Sequence, residues 1–474
     1  MHTIVLSDLH LADAEPLDPR RPHWKAFKRR EFFVDADVER LLEHVLALDE
    51  PAELVLNGDV FDFDTVMEMP PPAPGQREGT KPSPVHWLMR LRGLSSEEWM
   101  SVFKMDCIVR DHRPWFEALG RFVARGHRLI FVIGNHDLEL HWPVVQQRIR
   151  AAMAMPPGCE SKVVFCNWFY LSGGDTFISH GNQYDPYCAA PDPIHPLIEV
   201  RGRPRVRIPF GDLANRYMLN GMGYFNPHAT ANYIMSGLEY ATFFFRYMVR
   251  DQPLLIWTWF WSACVTLVTT LDEFLRPAMR DPLQIEEKVA GIAERSQATP
   301  SMVRQLAAVD VPSACTRPLM IARELWLDRG LLFLGMVYVA VQAVLAINYL
   351  WPISPLWVLL PLTLLFPLFL TYSFRVRPET FSQPLLTPER AGLIARITGT
   401  RFAVFGHTHE PELRPIGPLL FANAGFWSPA FAEPECRTRI GTQTFAWLRP
   451  GPHGRTLTLW EWPPGGTEPR PFTP

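Results

Sequence analysis

The chain has 474 residues, of which 47% are hydrophobic and 20% charged, and its formal net charge is −3. That length suits two or three domains, and the charge carries no global signature of nucleic-acid binding. The composition is apolar for a soluble enzyme yet too charged for a bundle embedded throughout a bilayer, and the seven cysteines include no C-x-x-C pair, so a reducing compartment is expected rather than a disulfide framework.

Thr3-Ile4-Val5-Leu6 reads as a core strand rather than a signal peptide, and it breaks off into Asp8-Leu9-His10. A helix near 36–48, with Val38, Leu41, Leu42, Val45 and Leu46 on one face, and a strand Leu54-Val55-Leu56 complete a β-α-β passage. This passage ends in Gly58-Asp59-Val60-Phe61-Asp62. Residues 64–84 carry Pro70-Pro71-Pro72 and are expected to form a loop or lid. A helix near 114–125 precedes a strand from Leu129 to Ile133, which delivers Gly134-Asn135-His136-Asp137. Strands near 163–170 and 176–179 deliver His180-Gly181-Asn182.

Between about 190 and 400 the chain turns aromatic and aliphatic, with three long uncharged stretches: Pro253 to Leu271, Gly330 to Trp351, and Ile353 to Ser373. Taken as helix, the second would be roughly 33 Å long, about the thickness of a bilayer's hydrocarbon core. The third contains Pro355, Pro361 and Pro367, which predicts a kink or a late start. Soluble patterning returns with Phe402 to Phe405, Gly406-His407-Thr408-His409 and the turn Asn423-Ala424-Gly425, for which a structural role is expected. Terminal strands are expected near 443–448 and 456–462.

If the last cluster is to meet the first, the number of full membrane crossings must be even. The pair 330–351 and 353–373 is therefore expected to form a transmembrane hairpin, with Arg323 and Arg329 before it and Arg375 and Arg377 after it, as the positive-inside rule prefers. The stretch 253–271, with Trp257, Trp259 and Trp261, is expected to lie in the interface. A fourth span near 230–248 would have to accommodate Glu239 and Arg246. The expected division is 1–190, a helical insertion 191–398, and 399–474, with the catalytic part membrane-associated on the cytoplasmic side.

Five apolar runs thus end in clusters of Asp, Asn or His. Two adjacent divalent metals need hard and borderline ligands on rigid elements, and one carboxylate must bridge them. Imidazole and carboxylate suit Mn²⁺, Fe or Zn²⁺. Hydrolysis of a phosphate ester is the leading expectation.

These residues resemble the calcineurin-like metallophosphoesterase superfamily, whose pattern D-x-H, G-D-x-x-D/E, G-N-H-D/E, H and G-H-x-H is present in order. The resemblance covers roughly 1–190 and 400–474. It implies an α/β fold, a four-layer αββα sandwich interrupted here by a large helical, membrane-associated insertion. It also implies that Asp8, His10 and His409 hold one divalent ion, that Asn135, His180 and His407 hold the other, and that Asp59 bridges them. His136 would be the acid outside the ligand set, and Asp62 and Asp137 would orient their neighbours. A water or hydroxide shared by the ions would attack phosphorus.

In plan the chain is similar to the UDP-diacylglucosamine pyrophosphatases, although those have Arg where His136 stands. A lipid-linked phosphate or pyrophosphate at the membrane surface is the expected substrate; a soluble phosphoester, or a non-catalytic scaffold role, are the alternatives. Arg201, Arg203, Arg205 and Arg207 read equally as contacts to a substrate phosphate or an anionic headgroup, or as a solvated strand or loop edge. Tyr184 and Asp185 read as pocket-lining or as turn residues. No nucleic-acid partner is expected, and the sequence carries no sign of oligomeric state.

Overall fold

The computed structural model describes residues 1–71, 84–226, 228–229, 242–376 and 384–474. Pro72, Glu239 with the rest of 230–241, and Arg377 lie outside the described residues. The strands in chain order are β1 (His2–Leu6), β2 (Ala52–Asn57), β3 (Arg128–Val132), β4 (Val163–Cys166), β5 (Phe169–Ser172), β6 (Thr176–Ser179), β7 (Leu197–Val200), β8 (Arg203–Val206), β9 (Phe402–Phe405), β10 (Glu412–Ile416), β11 (Leu419–Asn423), β12 (Gln443–Arg449), β13 (Thr456–Trp462) and β14 (Arg470–Pro471). The helices are α1 (Asp35–Leu46), α2 (Pro84–Arg92), α3 (Glu98–Asp111), α4 (Arg113–Ala124), α5 (Pro143–Ala152), α6 (Phe210–Tyr217), α7 (Leu255–Leu275), α8 (Ile285–Arg295), α9 (Pro300–Ala307), α10 (Pro318–Glu324), α11 (Leu327–Leu350), α12 (Leu359–Arg375) and α13 (Pro388–Thr398).

A seven-stranded sheet runs β14-β13-β12-β1-β2-β3-β4, and a five-stranded sheet runs β10-β11-β9-β6-β5. In the first, β1 to β4 are parallel, which explains their nearly unbroken apolar runs: both faces are covered. Side chains alternate across the pleat. Ile4, Leu6, Leu54, Leu56, Leu129 and Phe131 therefore pack on α1 and α4. Val5, Val55, Ile130 and Val132 meet Ile178, Val404 and Ala422 of the second sheet. The far face of that sheet, through Phe177, Ala403, Phe405 and Phe421, is covered by Val289, Ile292, Val303, Leu306, Ala391 and Ile394 of α8, α9 and α13. The segment between residues 190 and 400 thus supplies one outer layer of helices.

One expectation needs correction: a single strand near 163–170 is two. β4 continues the first sheet beside β3, whereas β5 pairs with β6 in the second. Asn167 and buried Trp168 form the corner between them. A period-two pattern runs through such a corner unchanged, because Phe165, Trp168 and Phe169 are buried on both sides of it.

The three apolar stretches are all helices. Helix α7 turns its polar stripe inward: Ser262, Thr266, Thr270 and Glu273 are buried, while Leu254 beside its start, and Trp257, Val268 and Leu275, are 65–79% exposed. Glu273 receives Arg205 at 2.8 Å, and Ser262 receives Arg92 at 3.2 Å. That is the reverse of a water-facing amphipathic helix. Helix α11 and the stretch Pro355–Arg375 are long and apolar enough to cross a membrane, by length and composition. The second starts late, as its prolines predict, with a 3-10 turn over Pro355–Val358 before α12, and no residue of α12 is buried. At the base of the pair the Arg329 guanidinium donates to Val376 O, and Tyr372 Oη donates to Asp328 at 2.8 Å.

Helix α3 pins the loop that follows β3. Lys104 donates to Glu139 at 2.6 Å, and both side chains are at most 2% exposed. Substituting Lys104→Met strands a buried carboxylate, so it is expected to lower stability by about 3–5 kcal/mol in denaturant titration. Arg113→Ala, which breaks an exposed pair with Glu117, is expected to change it by less than about 0.5 kcal/mol.

Candidate metal centre

The loops after β1, β2, β3, β6 and β9 converge at the carboxyl ends of the strands. Asp8 N donates to Gly58 O at 3.2 Å, His10 N to Asp59 O at 2.9 Å, and Leu11 N to Val60 O at 2.9 Å, so the first two loops are zipped together by backbone. Gly406 N donates to His180 O at 2.9 Å, which joins the loops after β6 and β9. Asp8, His10, Asp59, His407 and His409 all have positive φ, between 50° and 71°. Left-handed backbone at such residues costs on the order of 1–3 kcal/mol each and persists only where the surroundings hold it. Glycine is required beside these residues because the loops touch: a Cβ at Gly406 would collide with Ser7 Oγ and Asp8 Oδ2, and one at Gly134 with Asp59 Oδ1.

Two sets of donors result. Asp8 Oδ1 lies 3.1 Å from His409 Nε2 and 3.8 Å from His10 Nε2, and the two imidazole nitrogens are 3.3 Å apart. Asp59 Oδ2 lies 3.0 Å from His180 Nε2 and 4.0 Å from His10 Nε2, and so faces both sets. Asp59, His180 and His407 form the second set, with donor atoms within 4.8 Å of one another.

Each donor is oriented by a bond at its other end. Asp8 Oδ2 accepts from His407 N at 3.0 Å, and Asp59 Oδ1 accepts from His136 N at 2.9 Å, leaving one oxygen of each carboxylate for a cation. His180 Nδ1 donates to Asn57 O at 2.9 Å and His409 Nδ1 to His228 O at 3.3 Å, which turns both Nε2 atoms inward. Asp8 Oδ1, Asn135 Oδ1 and His180 Nε2 are buried with no hydrogen-bond partner. Three orphaned donor atoms in one centre, all nitrogen or carboxyl and amide oxygen, fit divalent cations.

The electrostatics agree. Burial alone would raise the Asp59 carboxyl, but His180 and His136 outweigh it and hold it well below the usual carboxylate range. Burial opposes charge on His180, yet Asp59 and Asp8 lift it to about 9. His136 is likewise held well above the ordinary imidazole value against burial, by Asp59, Asp212 and Asp62. Its Nδ1 is 3.4 Å from Asp62 Oδ1 and its Nε2 3.6 Å from Asp212 Oδ1. Asp137 accepts from Gly134 N at 2.6 Å and Val60 N at 2.9 Å, tying two ligand loops together. The turn after β11 braces the last loop: Asn423 Nδ2 donates to Gly406 O at 2.7 Å.

The arginines lie apart from this cluster, on the β7–β8 ribbon. Arg203 pairs with Glu97 at 3.3 Å and Arg205 with Glu273 at 2.8 Å; Arg207 donates to Arg276 O, and Arg201 is exposed in the turn. Asp185 accepts from His407 Nε2 at 2.9 Å, whereas Tyr184 stacks on Phe405 in the core.

Sequence reasoning gave no site role to Asp212, Asp64, Cys188 or His228. Asp212, on α6, is fully buried and accepts from Asn135 Nδ2 at 2.9 Å. His228 packs at a tilt against His10, with ring centroids 4.1 Å apart. Asp64 joins His136 and Asp212 in a third group of close donors, and Cys188 approaches Asp185 and His407, although burial pushes its thiol up and keeps it neutral. Asp64, two residues after Asp62, was the one within reach of a motif; the others stand alone in sequence.

Residues 1–216 match the family model described as calcineurin-like phosphoesterase. No curated protein matches the chain. The matched stretch ends before His407 and His409, which the fold brings back to the centre.

Gly406→Ala and Asp59→Ala are expected to strip bound transition metal from purified protein, measured by inductively coupled plasma mass spectrometry, with far-ultraviolet circular dichroism retained. Gly392→Ala, in helix α13 with its nearest neighbour at 3.5 Å, is expected to keep its metal.

Proposed function

Because the chain carries a calcineurin-like phosphoesterase domain and is a metal-dependent phosphoester hydrolase, we propose that it uses two divalent ions to cleave a lipid-linked phosphate or pyrophosphate at a membrane surface. Asp8, His10 and His409 would hold one ion, and Asn135, His180 and His407 the other, with Asp59 shared between them. Mn²⁺, Fe or Zn²⁺ suit these donors. The chemistry such ions supply when bound is Lewis-acid polarisation of the phosphoryl group and activation of water.

The protein's own residues do the rest. Asp62 near Nδ1 and Asp212 near Nε2 flank the His136 ring, and the surrounding carboxylates favour its protonated form. His136 then serves as proton donor from Nε2 to the departing oxygen. Asp8 and Asp59 each present one free oxygen because backbone amides occupy the other. Backbone of this kind does not reorganise during reaction, which is the economy of a preorganised site.

The lipid reading rests on one observation: the segment that sends Asp212 and His228 to the centre also carries an apolar helical pair that is mostly exposed among the described residues, its second helix with no buried residue. An anchor alone would need no residue in the site. In this reading α11 and α12 form a hairpin through the bilayer, α7 lies along the interface with its apolar side toward lipid, and the catalytic domain is cytoplasmic. Arg201, at the tip of the ribbon packed against the far end of α7, is free to meet an anionic headgroup.

The test compares turnover of a lipid-linked and a soluble phosphodiester by Mn²⁺-loaded protein, with His136→Ala as the inactive control. Replacing residues 331–374 by a short linker is feasible because Arg329 and Val376 are in contact. It is expected to lower activity on the vesicle-borne substrate at least about tenfold and to leave the soluble one little changed; equal turnover of both substrates by both proteins would exclude a lipid-linked substrate. Topology has its own readout in cysteine labelling of Ser301→Cys and Ser354→Cys, in a background cleared of reactive native thiols. The first is expected to label from the catalytic side and the second from the opposite side.

A further inference from the structure

We infer that Asp212 is a positioning residue for the metal centre: it fixes the Asn135 carboxamide so that the amide oxygen, not the amide nitrogen, serves as ligand. Asn135 is 2% exposed and Asp212 fully buried, and Nδ2 of one donates to Oδ1 of the other at 2.9 Å. Asn135 Oδ1 has no hydrogen-bond donor.

A carboxamide differs from the other donors in having one end that can bind a cation and one that repels it. Reversing it here would set Oδ1 against a carboxylate oxygen and turn a positive N–H edge toward the cations. Both contacts would be repulsive in a buried site, where electrostatic differences are large. Asp212 thus decides which end of Asn135 faces the ions. The same oxygen stands 3.6 Å from His136 Nε2, so consecutive residues of one loop share an anchor.

That anchor is itself fixed by packing, since Leu213 and Tyr217 of α6 join the core on the helical face of the first sheet. Helix α6 begins at Phe210, which packs in one apolar cluster with Tyr187, Ala263 of α7, Ile321 of α10 and Leu327 at the start of α11. Gly211 N donates to Tyr187 O at 2.9 Å. Ala263 of α7 and Leu327 of α11 are therefore packed in the same cluster as the start of the helix that carries Asp212.

This inference rests on Asn135 being a metal ligand. The test is a double-mutant cycle in metal affinity, by calorimetric titration of metal-free full-length protein with Mn²⁺ alone, using Asp212→Leu, Asn135→Ala and the pair combined. Asp212→Leu is expected to weaken one of two ions about 10–100-fold, as Asn135→Ala does, and to add nothing in the Asn135→Ala background. Asp212→Asn keeps an acceptor of the same shape and is expected to recover most of the affinity. Should Asp212→Leu fail to fold, Asp212→Asn enters the same cycle, and its smaller loss is expected to vanish in the Asn135→Ala background. Additive losses, unchanged affinity in Asp212→Leu, or an Asp212→Asn as weak as Asp212→Leu would each overturn the positioning role. An Asn135→Ala protein that binds both ions as tightly as the parent would instead overturn the ligand assignment beneath it.

Discussion

Buried negative charge around Asp59 is the constraint from which the rest of the structure follows. Asp8, Asp59, Asp62, Asp137 and Asp212 are at most 2% exposed and meet within a few ångströms of one another's partners. A buried carboxylate without compensation costs several kcal/mol, and two dications would be equally costly without anions. Compensation in the protein itself comes from imidazoles and from backbone amides such as His136 N and His407 N. Amides can reach these oxygens only if loops from different strands touch, and that contact is what excludes a Cβ at Gly134 and Gly406 and holds five neighbouring residues in left-handed backbone.

The two sheets serve that convergence. Parallel strands β1, β2 and β3 end side by side and present Asp8, Asp59 and Asn135 in one row. The second sheet ends in the same direction because β6 and β9 are parallel neighbours, which brings His180 and His407 together although more than two hundred residues separate them in the chain. Packing of Val5, Val55 and Ile130 against Ile178 and Val404 then sets the distance between the two rows.

The segment between residues 190 and 400 works in three directions at once. Helices α8 and α9 close the outer face of the second sheet, α6 reaches into the metal centre, and α11 with α12 stands outward with an apolar surface. Helix α7 joins these roles, since its polar stripe grips the body through Arg92 and Arg205 while its apolar side is open.

The sequence by itself determined the Asp, Asn and His clusters and the strands that carry them, because each cluster directly follows a short apolar run and local spacing is enough to see it. It also determined two apolar helices of membrane-crossing length, since length and composition are local properties. The corner at Asn167 was not legible, because residues on both sides of it are buried and alternation does not register a change of sheet. Asp212 was not legible either: it stands in no motif, and its partner Asn135 is 77 residues away. Only the tertiary structure decided which oxygen of Asp8 and Asp59 is free and which end of Asn135 turns inward. Those choices are made by hydrogen bonds such as His407 N to Asp8 Oδ2, whose partners are 399 residues apart, and no local pattern in a chain encodes a bond of that span.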